Sequence, residues 1–274
     1  MLGGILSVQF GAGIAKELFD EVTPTAMVWL RLVASAVVLG LIARPVLRGR
    51  SRTDWLVALG FGLTLGVMNW AIYQAFARIP LGVAVTIEFV GPLALALLGS
   101  RRARDLIWVF LAGLGVALLG FEGSDLTVAG VAFALLAGAA WAAYILLSAQ
   151  TGRLWPGLDG LAVASVIATI LLTPMAIPSG GDSLLDPRIL LLGAAVGMLS
   201  SVIPYSFEIT ALRSIRPTVF SILMSLEPAA AALVGIVVLQ EFLTPVQWLA
   251  MGCVIIASVG ATRSHRVIAE PAPD

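Results

Sequence analysis

Six ionisable residues fall inside stretches that are otherwise apolar enough to cross a membrane. They are four acids and two bases: Glu17, Glu88, Glu208, Glu227, Lys16 and Arg31. A charged group within a bilayer is costly, so such residues pair with one another, line a wet cavity or relay protons. The chemistry they indicate is solute binding and proton transfer inside a membrane.

Glu88 has the most informative spacing. Pro92 follows four residues later, so it has no N–H to donate to the carbonyl of Glu88, and we expect the helix to kink there. One helix face then presents a carboxylate beside a free carbonyl. Burial disfavours the charged form of a carboxylate, so a Glu88 that gains and loses a proton as its access changes would provide proton coupling. The alternative is a carboxylate neutralised by an arginine or a hydroxyl for structural reasons.

Glu227 stands directly before Pro228, where we expect a second kink. An offset of 136 residues aligns Pro228 with Pro92, but the same offset aligns Glu227 with Gly91. The prolines are therefore symmetric and the acids are not, as expected of a site that binds one asymmetric solute. Glu227 is a candidate substrate-binding residue, and a role in helix packing is the alternative.

Two bases are candidates for binding a carboxylate. Lys16 is the only lysine of the chain. It could bind a substrate carboxylate, or it could extend to the outer membrane interface. Arg31 could pair with Glu17 or with a carboxylate in the cavity.

Neutral polar residues complete the candidate binding set. Gln9 supplies a hydrogen-bonding group on the first span. Asn69, Trp70, Tyr73 and Gln74 form a polar and aromatic patch at the end of the third span, from which we select Asn69 and Tyr73. Tryptophan and tyrosine also mark the membrane interface, which is the alternative for this patch.

The elements that must position these residues are membrane helices. The chain has 274 residues, of which 59% are hydrophobic and 12% are charged, whereas soluble domains carry about 25% charged residues. A membrane helix needs roughly 17–25 apolar residues. Ten stretches qualify: 2–19, 24–43, 55–76, 81–99, 106–121, 128–149, 161–177, 189–209, 218–239 and 245–262. Charged or Gly/Pro-rich breaks are predicted at 19–21, 48–52, 100–102, 122–125 and 178–182. The first span is expected to serve as its own insertion signal and to stay in place.

The basic residues predict the orientation of these spans. If the N-terminus is cytoplasmic, twelve loop and tail arginines lie inside and only Arg78 and Arg188 lie outside. Cytoplasmic loops carry the excess of arginine and lysine. We therefore predict that both termini are cytoplasmic in a bacterial cytoplasmic membrane.

An internal repeat organises the spans. Residues 75–99 and 211–235 are identical at eight of 25 positions, and a second match relates Trp108–Gly120 to Trp248–Gly260. Five spans per half is an odd number, so two homologous halves insert with opposite topology, as in many secondary transporters. We predict an all-α integral membrane protein with ten transmembrane helices in two five-helix inverted repeats. The repeats cover 1–122 and 127–262, and 263–274 form a cytoplasmic tail.

Short strings carry a resemblance to a known family. Trp29-Leu30-Arg31-Leu32, Leu226-Glu227-Pro228 and the string from Gln240 to Trp248 resemble the EamA type of the drug/metabolite transporter superfamily. Three further strings resemble its threonine/homoserine exporter branch: 12–19, 79–85 and 87–93. The resemblance covers essentially the whole chain, and it implies fold more firmly than substrate.

The expected function is therefore secondary transport. We predict a transporter that exports a small metabolite, an amino acid, by proton antiport, and the family resemblance alone implies threonine and homoserine as substrates. Its partners would be the solute, protons and the lipid bilayer, with a homodimer left open and no nucleic acid. Neither a cofactor nor a metal is expected.

Three alternatives are kept. The first is an exporter or facilitator of another solute, such as a drug or a purine. The second is an intramembrane enzyme with Glu88 and Glu227 as an acid/base pair. No nucleophile motif or metal-ligand spacing supports it, and the only histidine, His265, lies in the tail. The third is a non-transporting membrane scaffold, against which the mid-membrane acids argue.

Overall fold

Helices make up the framework of the protein. The structure is a computed structural model that describes residues 2–98, 106–120, 126–204 and 222–264. The helices of this part are α1 (Leu2–Glu17), α2 (Pro24–Ala43), α3 (Arg52–Phe76), α4 (Leu81–Glu88), α5 (Val90–Leu98), α6 (Leu106–Gly120), α7 (Val128–Leu154), α8 (Asp159–Gly180), α9 (Pro187–Gly197), α10 (Glu227–Leu239) and α11 (Pro245–Ser264). The 3₁₀ segments Leu18–Asp20 and Gly181–Leu185 follow α1 and α8, and a π-helical turn, Met198–Val202, follows α9.

The length and apolarity of the helices confirm the predicted class, an all-helical membrane protein. Six stretches of the described chain are long and apolar enough to cross a membrane: Pro24–Ala43, Arg52–Phe76, Val128–Leu154, Asp159–Leu185, Ile222–Leu239 and Pro245–Arg263. Shorter apolar helices occupy Leu81–Leu95, Leu106–Leu119 and Pro187–Ser201. The arrangement as ten spans in two repeats stays a prediction. Glu208, the predicted breaks at 100–102 and 122–125, and the tail beyond Ser264 lie outside the described residues.

Local sequence signals fix the starts of the long helices. The Thr23 hydroxyl accepts the N–H of Ala26 at 3.3 Å, and Pro24 occupies the first turn of α2. Ser51 and Asp54 form a reciprocal capping box that starts α3 three residues before the predicted span. Both arrangements satisfy N–H groups that have no partner within the helix.

The break predicted at 178–182 contains the end of α8, but the helix runs three residues past the predicted span. Helix α8 continues through Pro174 and Pro178, and it ends at Gly180, where Gly181 adopts a positive φ of 50°. Each proline forfeits one hydrogen bond, but its fixed φ suits a helix. Neighbouring helices hold such segments in membrane proteins, and α8 packs along α2 and α3.

The spans that contain Pro92 and Pro228 are interrupted instead of being smoothly bent. Phe89 separates α4 from α5, and a turn at residues 225–226 precedes α10. Pro92 and Pro228 lie in the first turns of α5 and α10. First-turn N–H groups have no helical acceptor, so proline is tolerated there. The interruptions lie at equivalent positions of the internal repeat.

A close backbone contact covers the first interruption. A Cβ atom placed on Gly138 of α7 would lie 2.5 Å from the carbonyl oxygen of Glu88, and one placed on Gly91 would overlap the backbone of Gly138. Only glycine at both positions lets α7 approach the interrupted span this closely. The carbonyl that lacks a donor because of Pro92 therefore faces the backbone of α7 and is shielded from lipid.

We expect Gly138→Ala to destabilise the protein, because the added methyl group meets backbone atoms that cannot rotate away. Overpacking of this kind costs about 1–3 kcal/mol. Gly152→Ala, in the same helix, is the matched control, since a Cβ there meets nothing within 4 Å. Melting temperatures of the two purified variants measure the difference, and equal values would contradict the proposed close contact.

Candidate functional site

A cavity of about 310 Å³ lies at the centre of the helix bundle. Helices α1, α2, α3, α4, α7 and α8, the π-helical turn and the start of α10 all contribute to its wall. Its size is at the lower end of the range for small-molecule sites, roughly 300–1,000 Å³. The polar lining consists of Gln9, Arg31, Ser35, Asn69, Glu88, Ser165, Ser200, Ser201 and Glu227.

The cavity brings together two of the predicted acids, Glu88 and Glu227. Glu88 is the last residue of α4 and Glu227 the first residue of α10. Both are buried, each with 9% of its surface exposed. Glu88 is close enough to Glu227 and to Arg31 for their charges to interact. The two helix interruptions thus place both carboxylates at the same solvent-poor site.

Arg31 reaches the same cavity from α2. Its Nη2 donates to the carbonyl of Ser200 at 3.4 Å, and its guanidinium lies 5.6 Å from the ring centre of Tyr73. Within the described chain, its buried Nε has no hydrogen-bond partner, and the guanidinium forms no ion pair. Of the two predicted partners, Glu17 is therefore not engaged; it is exposed at the end of α1.

Lys16 does not line the cavity, and it does not extend to the interface as a free cation. Its ammonium is paired with Glu241 and donates to the carbonyl of Ile79 at 2.8 Å. The second carboxylate oxygen of Glu241 accepts the N–H of Leu81 at 2.7 Å. This cluster joins α1, the α3–α4 loop and the α10–α11 connection, so the structure gives Lys16 a partner of its own.

The remaining predicted residues divide between the cavity and its surroundings. Gln9 and Asn69 line the cavity, where the amide of Asn69 donates to the carbonyl of Leu65 at 2.8 Å. Tyr73 is fully buried behind Arg31, and its hydroxyl has no hydrogen-bond partner in the described chain. Tyr73 therefore contacts Arg31 and does not line the cavity.

Sequence reasoning missed four serines of the wall and two aromatic residues that α7 contributes to it. These are Ser35, Ser165, Ser200, Ser201, Trp141 and Tyr144. A serine in a membrane helix is common, so the serines gave no distinct signal. The aromatic pair lies in the middle of α7, away from the interface where such residues usually concentrate, and this position could have identified it.

No group of three His, Cys, Asp or Glu side chains is placed to hold a metal ion among the residues that the structure covers. The site therefore offers acidic, guanidinium, amide and hydroxyl groups within an apolar bundle. Such groups can bind a small polar solute and exchange a proton.

Comparison with known proteins finds one family model that matches part of the chain and relatives that match almost all of it. The model of the EamA-like transporter family matches residues 128–263, from the start of α7 into α11. The threonine/homoserine exporter RhtA of Escherichia coli strain K12 is 40% identical over 269 residues, which cover 97% of this chain and 91% of the relative. The protein of the same name from Salmonella typhimurium strain LT2 is 42% identical over the same shares.

Two more distant matches extend the comparison. The uncharacterized transporter YwfM of Bacillus subtilis strain 168 is 28% identical over 252 residues, covering 86% of this chain and 83% of the relative. A crystal structure of a protein with 19% sequence identity superposes with a TM-score of 0.64, covering 97% of this chain and 98% of that chain. This last match concerns the fold alone.

We expect Lys16→Met to destabilise the protein by about 1–3 kcal/mol, because it leaves the Glu241 carboxylate without its cation in a largely buried site. The double variant Lys16→Met/Glu241→Gln should recover much of the loss, since no unpaired charge remains. Arg188→Gln, which removes an exposed pair with Glu21, is the control and should change little. If the change in melting temperature of the double variant equals the sum of the changes in the two single variants, this pairing is contradicted.

Proposed function

The chain belongs to the EamA-like transporter family of the drug/metabolite transporter superfamily, in the branch of the threonine/homoserine exporter RhtA, and from this premise we propose that it exports small amino acids. Threonine and homoserine are the first candidates, because relatives named for them match almost the whole chain. The protein is a multi-pass membrane protein, and we place it in the bacterial cytoplasmic membrane.

The observation that carries this proposal is the charge pattern of the central cavity. A membrane bundle that buries two carboxylates and a guanidinium around one small cavity needs a functional reason for them. A zwitterionic amino acid offers the complementary charges within a molecule that a volume of about 310 Å³ can hold. Gln9, Asn69, Arg31 and Glu227 are the proposed binding residues. Lys16 is not retained because Glu241 occupies its ammonium.

We propose proton antiport as the energy source, with Glu88 as the proton site. Its carboxyl group faces the cavity together with Glu227 and Arg31. Substrate and proton would then occupy the same cavity alternately, so that the carrier changes orientation with one or the other. This alternation couples amino-acid export to proton entry.

The arrangement of helices supports two inverted repeats, proposed as 1–122 and 127–262 with a tail at 263–274. Exchange of the halves pairs α1 with α7, α2 with α8, α3 with α9, α4/α5 with α10, and α6 with α11. The contacts of α2 with α8, α4 with α10 and α6 with α11 then map onto themselves. The contact of α1 with α10 corresponds to that of α7 with α4/α5. The contacts of α3 with α7 and with α8 correspond to those of α9 with α1 and with α2.

In the proposed orientation, both termini are cytoplasmic and the cavity extends toward the cytoplasm. Its wall continues to Leu39 near the end of α2, Leu161 near the start of α8, and Pro204. Lys16 and Glu241 join three elements at the opposite end. This distribution corresponds to a carrier that loads its substrate from inside.

Topology can be tested directly. A reporter fused after Arg263 should lie in the cytoplasm, whereas a short tag in the exposed 3₁₀ segment Gly181–Leu185 should be labelled from the periplasm. Because each half contains an odd number of spans in this model, α1–α6 and α7–α11 would have opposite orientations in the membrane. Both sites on the same side of the membrane would exclude the inverted-repeat model.

The proton site is tested in everted membrane vesicles with an acidic interior. Wild-type protein should drive concentrative uptake of labelled threonine, and Glu88→Gln should abolish it because the amide cannot release a proton. If the Glu88 side chain does not hold the substrate, the Glu88→Gln protein should still exchange bound threonine. Glu227→Gln should reduce transport while preserving its dependence on pH.

Glu17→Gln is the matched control for the two cavity acids, since Glu17 is exposed at the end of α1. It should transport normally. A drug or a purine in place of threonine tests the alternative solutes. Normal pH-driven uptake by well-expressed Glu88→Gln protein would remove Glu88 from the coupling mechanism.

A further inference from the structure

The π-helical turn Met198–Val202 presents backbone carbonyls to neighbouring helices. The hydroxyl of Ser7 donates to the carbonyl of Leu199 at 2.7 Å, and Nη2 of Arg31 donates to the carbonyl of Ser200 at 3.4 Å. π-Helical turns are rare and occur frequently at functional sites. Here the turn lies on the cavity wall and is held from α1 and α2.

Two hydrogen-bonding groups at this turn are left unused. In the described chain, the buried Nε of Arg31 and the buried hydroxyl of Ser200 have no hydrogen-bond partner. Both residues line the cavity. Gly11 provides the room, because a Cβ atom on this residue would overlap the Ser200 hydroxyl oxygen. The unused groups are an N–H and an O–H, and each is a hydrogen-bond donor.

The neighbouring hydroxyls differ in this respect. The side-chain oxygens of Ser35 and Ser201 lie 2.7 Å apart and are hydrogen-bonded to each other, and Ser35 also donates to the carbonyl of Arg31 at 2.9 Å. These groups are satisfied without a ligand. Among the buried hydrogen-bonding atoms of the residues that line the cavity, those of Arg31 and Ser200 therefore remain unmet, as does the hydroxyl of Tyr73 behind the guanidinium.

A buried guanidinium is normally paired with an anion, because an unpaired charge is costly away from water. Arg31 forms no ion pair with any described residue, although it faces the cavity. Its fork of N–H groups matches a carboxylate, which it binds through two parallel hydrogen bonds. An anion supplied by the solute would complete the pair.

Resting on the proposed amino-acid export, we infer that Arg31 and Ser200 form the subsite for the α-carboxylate of the substrate. The guanidinium of Arg31 and the hydroxyl of Ser200 donate to the carboxylate oxygens, while the carboxylate of Glu227 faces the substrate ammonium. The subsite makes the α-carboxylate a requirement for binding. Amines, amides and amino alcohols of the same size lack the anion and are rejected.

The test uses the purified full chain in lipid nanodiscs and calorimetric binding of L-threonine, L-threoninamide and threoninol. Wild-type protein should bind threonine at least about tenfold more tightly than either analogue, because each analogue leaves the buried guanidinium unpaired. Ser200→Ala should weaken threonine binding by about tenfold and should leave the affinity for threoninamide unchanged.

Ser201→Ala is the matched control, since it removes a hydroxyl from the same turn that Ser35 already satisfies. It should keep the preference for threonine over threoninamide. Arg31→Lys keeps the charge and loses the planar fork. Its affinity for threonine should be lower than that of wild-type protein, whether above or below that of Ser200→Ala. Melting temperatures confirm that each variant is folded, and the analogue series on wild-type protein needs no variant.

The outcomes separate the subsite from the transport function. If wild-type protein binds threonine and threoninamide equally, or if Ser200→Ala and Ser201→Ala lose threonine affinity to the same extent, the subsite is overturned and amino-acid export stands. If wild-type protein binds no amino acid of a panel that includes threonine and homoserine, both the proposed function and the subsite are overturned.

Discussion

A break in a membrane helix leaves backbone polar groups that lipid cannot satisfy, and the candidate site of this protein depends on how one break is covered. Non-helical backbone at membrane depth is tolerated only against protein or a wet cavity. At Phe89, the covering element is α7, whose Gly138 lies against the carbonyl of Glu88. With the backbone covered on that side, the Glu88 side chain belongs to the wall of the cavity. The glycine contact thus supports both the fold and the proposed proton site.

Charge pairing differs between the ends of the bundle and its centre. At one end, Lys16 is paired with Glu241. At the other, the guanidinium of Arg50 lies 3.7 Å from the carboxylate of Asp159 and 4.3 Å from the ring centre of Trp155. These pairs connect separate helices and loops, and they stabilise a particular arrangement of the ends. The centre holds Arg31 without an ion pair among the described residues. A carrier that must release its solute benefits from this difference, because a permanent internal partner for Arg31 would compete with the solute.

The sequence predicted those features that depend on local chemistry. Helix α2 spans Pro24–Ala43 as predicted, because Thr23 caps its start and Arg44 ends it with a left-handed backbone conformation. The span predicted to end at residue 177 was three residues too short, because Pro178 was treated as a helix breaker although neighbouring membrane helices support it. A meeting of Glu88, Glu227 and Arg31 could be predicted, because an ionisable group that stands alone within a membrane is costly.

Features that depend on distant partners were not accessible from one sequence. Lys16 was a reasonable candidate for binding a solute until the fold placed Glu241 beside it, 225 positions further along the chain. The role of Ser200 depends on a π-helical turn and on the missing side chain of Gly11. Neither has a distinct pattern in the sequence, because the contact joins α1 to a turn that lies far away along the chain.

The two acids of the cavity are not equivalent in the repeat, because they stand on different sides of their helix interruptions. Glu88 ends α4, whereas Glu227 begins α10. The interruptions occur at equivalent points of the repeat, but the acid stands before the break in one half and after it in the other. A symmetric scaffold thus brings two carboxylates into one cavity from non-equivalent positions. The resulting site is itself asymmetric, as the binding of one asymmetric solute requires.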